Sequence, residues 1–277
     1  MKDSMKDSMK DSMKDSMKEL RFNILTLFPS FFDNFFATSL VGRAVKQKIV
    51  TYRIIDIRNF GIGRHKKVDD YTFSGEVGML LRHDVLTNAY HSLIRTEALE
   101  RMYTIYLAPQ GKPLDQGLAY DLASIAEKKS LTLVCGHYEG VDQRFIDNCV
   151  DKEVSIGDYV LSGGESAALV LMDAIIRLKK HVIGNPASLR GESFEKNLLK
   201  HHQYTRPFDK NIPSILTSGH HKAIFDWKQA NKIAITYEKR PDLFKEYPIS
   251  PLEFNALKEH VYQKFSYQQN KKRSHSK

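Results

Sequence analysis

Three glycines in the stretch S-I-G-D-Y-V-L-S-G-G-E (155–165) are spaced for binding a ligand through the polypeptide backbone: Gly157, Gly163 and Gly164. Because glycine has no side chain, backbone N–H and C=O groups beside it can come within hydrogen-bonding distance of a ligand. The stretch therefore predicts a ligand-binding loop. The alternative is a glycine-rich turn that leads into an ordinary buried helix, and this stretch alone leaves both open.

Two further glycine-containing loops follow strand-like runs. The loop P-Q-G (109–111) follows Y-T-I-Y-L-A, and G-H-Y-E-G (136–140) follows L-T-L-V-C, while the glycine-rich stretch itself follows the short run V-S-I. In an open parallel sheet, ligands bind beyond the carboxyl ends of the strands. The three loops are therefore predicted to converge on one pocket.

Strands that alternate with helices must position these loops, which predicts an α/β fold with a largely parallel sheet. The predicted strands are 21–28, 50–57, 103–108, 131–135 and 154–156. The predicted helices are 30–47, 84–96, 114–128, 141–150 and an apolar helix ending between Arg177 and Lys180. A polar loop at 61–79 is too long for a simple connection, which is typical of functional loops.

The formal net charge of +9 is concentrated near the C-terminus. From residue 201 onward there are 14 Lys and Arg but only 7 Asp and Glu. Such a segment suits a polyanionic partner such as RNA or DNA, although a merely solvated basic surface is also common.

Composition argues against several other classes of protein. The two cysteines, Cys135 and Cys149, form no Cys-x-x-Cys pair, so neither a disulfide framework nor a zinc site is predicted. The histidine pairs at 201–202 and 220–221 have no cysteine or carboxylate spacing to support them, so no bound metal is predicted. With no apolar run of about 18 residues, we expect a cytoplasmic protein without a membrane partner.

Breaks in pattern divide the chain into five segments. Residues 1–16 are four copies of M-K-D-S and are predicted to be a disordered extension. The other predicted segments are an α/β domain (17–182), a linker rich in Gly and Pro (183–197), a smaller C-terminal domain (198–268) and a basic tail (269–277).

Together, these motifs resemble those of the bacterial tRNA (guanine-N1)-methyltransferase family, which belongs to the SPOUT superfamily. The matching blocks, in family order across residues 20–240, are L-F-P, G-R-A-V-K, R-H-K-K-V-D-D, G-x-x-G-M-L, Y-L-A-P-Q-G-K-P-L-D-Q, L-V-C-G-H-Y-E-G-V-D-Q-R, S-I-G-D-Y-V-L-S-G-G-E, Y-T-R-P and L-T-S-G-H-H. The resemblance implies a parallel sheet with a deep trefoil knot and a small, mainly helical C-terminal domain that binds tRNA. It also implies a homodimer that methylates N1 of the guanine just 3′ of the anticodon.

The resemblance further implies that S-adenosylmethionine is the methyl donor and is bound by the three loops. The implied cofactor-binding residues are Tyr106, Leu107, Pro109, Gly136, Tyr138, Glu139, Gly140, Ile156, Gly157, Asp158, Tyr159, Val160, Leu161, Gly163 and Gly164. For Tyr106, Leu107 and Ile156, a purely structural role in the core is the alternative. Mg²⁺ is a candidate additional cofactor.

The implied chemistry needs a general base, because guanine N1 carries a proton at neutral pH. The family places an aspartate in an Asp-Ser-Phe context in the linker, and the matching residue is Glu192 of G-E-S-F, longer by one methylene. Arg177 could polarise that carboxylate or stabilise charge on guanine O6, or it could simply complement a helix dipole. If Glu192 is not the base, Asp158 and Asp173 are the next candidates.

Contacts with the tRNA anticodon stem-loop are implied for Arg43, His65, Asp69 and Arg206. In the loop T-F-S-G-E-V-G-M, Ser74, Glu76 and Val77 depart from the family's more Gly- and Pro-rich pattern. Two other functions are considered: a non-catalytic RNA-binding protein and a ribose 2′-O-methyltransferase. The intact glycine loops and a linker carboxylate argue against the first, and Y-T-R-P and G-E-S-F against the second.

Overall fold

A computed structural model describes residues 19–73, 75, 77–95, 98, 101–185, 191–209, 211–255, 257 and 258. The chain divides after Asn185 into two compact units. The predicted extension 1–16 and tail 269–277, together with Ser74 and Glu76, lie outside the described residues.

A five-stranded parallel sheet forms the centre of the N-terminal unit, as the alternating pattern predicts. Its strands are β1 (Leu20–Thr26), β2 (Val50–Asp56), β5 (Met102–Pro113), β6 (Ser130–Cys135) and β7 (Lys152–Ser155), in the order β2-β1-β6-β5-β7. Because β5 lies between β6 and β7, the carboxyl ends of these three strands are neighbours.

Helices cover both faces of the sheet. One face packs against α1 (Asp33–Ala37), α2 (Ser39–Lys46), α4 (Gln116–Ala126) and α6 (Glu165–Ile176), and the other against α3 (His83–Ile94) and α5 (Gln143–Cys149). Successive residues of a strand point to opposite faces, so Leu107 belongs to one hydrophobic core and Tyr106 to the other. Covered on both faces, β6 is buried along its whole length.

The structure corrects three boundaries predicted from the sequence. Strand β5 does not end at Pro109 but continues to Pro113, with a register shift between Leu107 and Lys112. A proline is tolerated at such an irregularity because no ladder hydrogen bond needs its missing N–H. The predicted loop 61–79 contains a strand, β3 (Asp69–Tyr71), and ends at its antiparallel partner β4 (Met79–Leu81).

The third correction concerns the predicted helix 30–47. It is a 3₁₀ turn (Pro29–Phe32) followed by α1 and α2, because Thr38 between the two helices has extended backbone angles.

The second unit contains a long helix, α7 (His221–Lys239), and a short one, α8 (Pro241–Lys245). Leu198 and Leu257 pack with Ile233 and Ala234 of α7 in a small core. The backbone N–H of Leu199 donates to Thr236 Oγ1 on α7 at 2.8 Å. Among the described helices of both units, none has the length and apolar character needed to cross a bilayer.

Candidate active site

A cavity of about 480 Å³ lies beside the register shift of β5 and at the carboxyl ends of β6 and β7. It is lined by residues 106–110 of β5 and by parts of 136–146 and 154–167, whereas Gly111 of the predicted loop 109–111 does not line it. Small-molecule sites typically enclose about 300–1,000 Å³, so the cavity is large enough for a nucleoside-sized ligand.

Backbone hydrogen bonds hold the loops around this cavity. The N–H of Gly164 donates to the carbonyl of Gly136 at 2.8 Å, and His137 forms an antiparallel bridge with Gly163. The N–H of Glu139 donates to the carbonyl of Met79 at 3.0 Å. The loop after β6 is therefore fixed by both the glycine-rich stretch and β4.

Two glycines are required by close approach. A Cβ atom on Gly136 would lie 2.9 Å from the ring of Tyr106. A Cβ atom on Gly164 would lie 2.8 Å from the Cα of Cys135 and 2.9 Å from the N of Gly136. Real Cβ atoms essentially never come this close to another heavy atom, so a side chain at Gly164 would require the backbone to shift and one at Gly136 would require the buried ring of Tyr106 to shift.

Fourteen of the fifteen predicted cofactor-binding residues line this one cavity, and Asp158 does not. Asp158 is exposed, because the turn at Gly157 directs it away while Tyr159 folds back to donate to the carbonyl of Ile156. Ten lining residues were not predicted: Ala108, Gln110, His137, Val141, Gln143, Ile146, Val154, Ser155, Ser162 and Ala167. Of these, Gln110, His137 and Ser162 lie inside the loop motifs, which is the signal that could have identified them.

Tyr106 and Leu107 belong to the core and also line the cavity, so the two roles considered for them are not exclusive. Burial raises the pKa of Tyr106 to about 12, and the negative charge of Glu153 acts in the same direction. The hydroxyl therefore stays protonated at neutral pH and presents no charge to a ligand.

This raised pKa predicts a loss of stability at high pH. The folded state holds the Tyr106 proton more tightly than the unfolded state, whose tyrosine pKa is about 10. The stabilisation that Tyr106 gives to the folded state is complete below about pH 10. As the pH rises towards 12 it is lost, and the free energy of unfolding falls by about 1.4 kcal/mol per pH unit. When the free energy of unfolding is measured with denaturant between pH 9 and 12, it should decline less steeply in Tyr106→Phe than in the wild type. If the free energy of unfolding falls equally steeply with pH in both proteins, Tyr106 does not have a raised pKa.

Comparison with known proteins identifies the family. The family described as tRNA (Guanine-1)-methyltransferase TrmD matches residues 20–246. The chain is 43% identical over 233 residues to the tRNA (guanine-N(1)-)-methyltransferase of Mesomycoplasma hyopneumoniae strain 232, covering 82% of this chain and 97% of the relative. The chain belongs to the TrmD family.

Two further relatives carry the same name. The protein of Clostridioides difficile is 43% identical over 230 residues, covering 82% of this chain and 98% of its own length. The protein of Bartonella tribocorum is 46% identical over 227 residues, which cover 81% of this chain and 94% of the relative. The TrmD family is a family of enzymes, so this chain is an enzyme.

The described lining of this TrmD family member's cavity contains neither Lys nor Arg, and its carboxylate is Glu139. The lining also includes His137, whose Nδ1 atom is buried and has no hydrogen-bond partner among the described residues. In a chain of net charge +9, this surface favours a neutral or cationic ligand. A polar atom that lacks a partner, beside glycines that exclude side chains, fits the cofactor that the resemblance implies.

Three of the residues predicted to bind RNA lie in the N-terminal unit. Asp69 lies at the start of β3, and the pKa of Tyr138 in the cavity wall is raised by burial and by the negative charge of Asp69. Arg43 donates to the carbonyl of Val182 at 2.9 Å, and His65 is exposed. Arg206 is exposed in the second unit. Asp69 therefore acts electrostatically on a residue of the cavity lining.

The two predicted catalytic residues lie in different units. Arg177 is the C-cap residue of α6, which agrees with the simpler role of complementing the helix dipole. Glu192 is partly buried in the second unit, beside a turn in which the Gly191 N–H donates to the Glu195 carboxylate. The catalytic roles of both residues stay predictions. Within the described part of the chain, no group of three or more His, Cys, Asp or Glu side chains could hold a metal ion.

Proposed function

We propose that this protein transfers a methyl group from S-adenosylmethionine to N1 of the guanine just 3′ of the anticodon in tRNA. The observation that carries the proposal is the convergence of the glycine-containing loops 136–140 and 156–164 with residues 106–110 of β5 on one cavity, whose described lining contains neither Lys nor Arg. Membership of the TrmD family, whose relatives are named tRNA (guanine-N(1)-)-methyltransferases, supports the reaction class. The substrate would place the reaction in the cytoplasm.

In this proposal, the chain binds the donor mainly through its backbone. When bound, S-adenosylmethionine supplies a methyl group on a positively charged sulfur. Backbone groups of the loops 136–140 and 156–164 bind the adenine edge, and Leu107 and Ile156 cover its faces. Glu139 accepts hydrogen bonds from the ribose hydroxyls. Enclosure by these walls excludes water and fixes the methyl group for in-line attack.

Glu192 is proposed to remove the N1 proton of guanine, because the protonated nitrogen is a poor nucleophile. Arg177 is proposed to orient that carboxylate or to stabilise the negative charge that develops on guanine O6. The protein would act as a homodimer in which the linker of one subunit delivers Glu192 to the cavity of its partner.

The remaining elements are assigned to fold and tRNA binding. We propose that the chain threads the family's trefoil knot where the Gly163–Gly164 turn meets the loop after β6, which the Gly164–Gly136 hydrogen bond supports. The basic, largely helical second unit would bind the anticodon stem-loop together with Arg43, His65, Asp69 and Arg206. Single-stranded loop bases can be extruded and read on their edges, which suits this target.

Transfer of a labelled methyl group to paired tRNA transcripts tests the proposal. The transcripts should differ only in carrying guanine or adenine at the target position. We expect transfer to the guanine transcript alone, with 1-methylguanosine recovered after nuclease digestion. Equal transfer to both transcripts, or transfer to neither, would contradict base methylation at this position.

A further inference from the structure

A buried carboxylate lies directly behind the cavity wall. Glu165, the first residue of α6, is only 4% exposed, and its Oε1 atom accepts a hydrogen bond of 2.7 Å from the hydroxyl of Thr26. This hydroxyl and the positive end of the α6 dipole both stabilise a negative charge at Glu165. None of the catalytic and cofactor-binding roles above uses it.

Only the backbone of a glycine separates this carboxylate from the cavity. A Cβ atom on Gly163, which lines the cavity, would lie 2.5 Å from Glu165 Oε2 and 2.7 Å from His137 Nδ1. On the side of β6, burial and the negative charge of Glu165 both raise the pKa of Cys135. The charge of Glu165 therefore acts on Cys135, the last residue of β6, which directly precedes the lining residue Gly136.

No Lys or Arg among the described lining residues opposes that charge. Side chains near Glu165 include Thr26 of β1, Cys135 of β6 and His137. In a wall largely shielded from water, a carboxylate favours a positively charged ligand over a neutral one of the same shape.

We infer that Glu165 makes the cavity prefer the sulfonium donor over the thioether product, an inference that rests on the proposed function. In the reaction, the N1 electron pair forms the new N–CH₃ bond while the electrons of the broken S–CH₃ bond stay on sulfur. The N1 proton passes to the general base. The ligand thus loses its positive charge when the methyl group leaves, and the attraction to Glu165 ends with it. Glu165 is a specificity residue that favours donor capture and product release.

Calorimetric binding at pH 8 tests the inference without requiring turnover. S-adenosylmethionine and S-adenosylhomocysteine are titrated into the wild type, Glu165→Gln and Glu165→Asp. Glu165→Gln keeps the shape and the acceptor for Thr26 but removes the charge, so the preference for the donor should fall about tenfold. Glu165→Asp keeps the charge and should retain the preference even if both affinities fall. Asp121→Asn, which removes an exposed charge on α4, is the matched control and should change nothing.

An analogue that carries an ammonium group in place of the sulfonium provides a second measurement. Glu165→Gln should weaken its binding by the same factor as that of the donor, because both ligands are cations. An unchanged preference in Glu165→Gln, or a preference lost in Glu165→Asp, would overturn the inference. If neither adenosyl ligand binds the wild type, the proposed function itself fails. Melting temperatures show whether Glu165→Gln is folded. If it is not, the donor preference measured in Glu165→Asp alone tests the inference.

Discussion

Replacing Glu192 by Gln should lower the rate of methyl transfer to tRNA by about 10³-fold, within the range of about 10²–10⁴ that general-base catalysis contributes. The amide cannot accept the N1 proton, whereas the donor cavity lies in the other unit of the chain. Donor affinity should therefore remain within about twofold of the wild type, given that Glu192 is absent from the cavity walls. Single-turnover transfer and calorimetric donor binding measure the two effects separately.

Glu192→Asp is the matched control for this prediction, because it keeps the carboxylate and shortens the side chain by one methylene. It should retain a large part of the activity, since aspartate is the residue that the resemblance implies at this position. Normal turnover by Glu192→Gln would show that the base lies elsewhere, and Asp158→Asn and Asp173→Asn would then be compared.

Gly164→Ala should weaken donor binding by at least about 100-fold. The added methyl group would overlap the backbone of Cys135 and Gly136, which cannot move without opening the walls between the two loops. Overpacking of this kind costs about 1–3 kcal/mol of stability, so the melting temperature should also fall. Donor affinity is measured by calorimetry below the melting transition of the variant, so that the folded protein alone is compared.

Gly184→Ala is the control for the glycine prediction. No atom of the described residues lies within 4 Å of a Cβ atom on Gly184, and its backbone does not adopt a positive φ. This variant should bind the donor like the wild type and melt at a similar temperature. If Gly164→Ala also binds normally, the close backbone approach at the Gly164 turn is not needed for the donor site.

The sheet and the cavity could be predicted from sequence because their signals are local. Strand-like runs end in the glycine loops 136–140 and 156–164, and parallel strands bring such ends to one edge of the sheet. The continuation of β5 past Pro109 is not predictable, because a proline at a β-bulge does not end the strand. A β-bulge has no reliable sequence pattern that would indicate its position. Asp158 is predicted to bind the cofactor because it sits among the lining residues in sequence, but it does not line the cavity, since the direction of its side chain depends on the turn at Gly157.

Contacts between distant residues were not predictable in the same way. Thr26 and Glu165 are 139 residues apart, and no periodicity indicates that the two side chains meet. The sequence at Glu165 resembles an ordinary solvent-facing first turn of a helix, where glutamate is common. The side chain of Glu165 is buried because residues distant in sequence, such as Thr26 and His137, lie beside it in the folded chain. The electrostatic role inferred for Glu165 therefore depends on the structure.

A crystal structure of the protein with S-adenosylmethionine bound tests the central claim most directly. The account predicts density for the donor inside the cavity formed by the loops 106–111, 136–140 and 156–164, with its adenine held by backbone N–H and C=O groups. Density for the donor at a site away from these three loops would contradict the account.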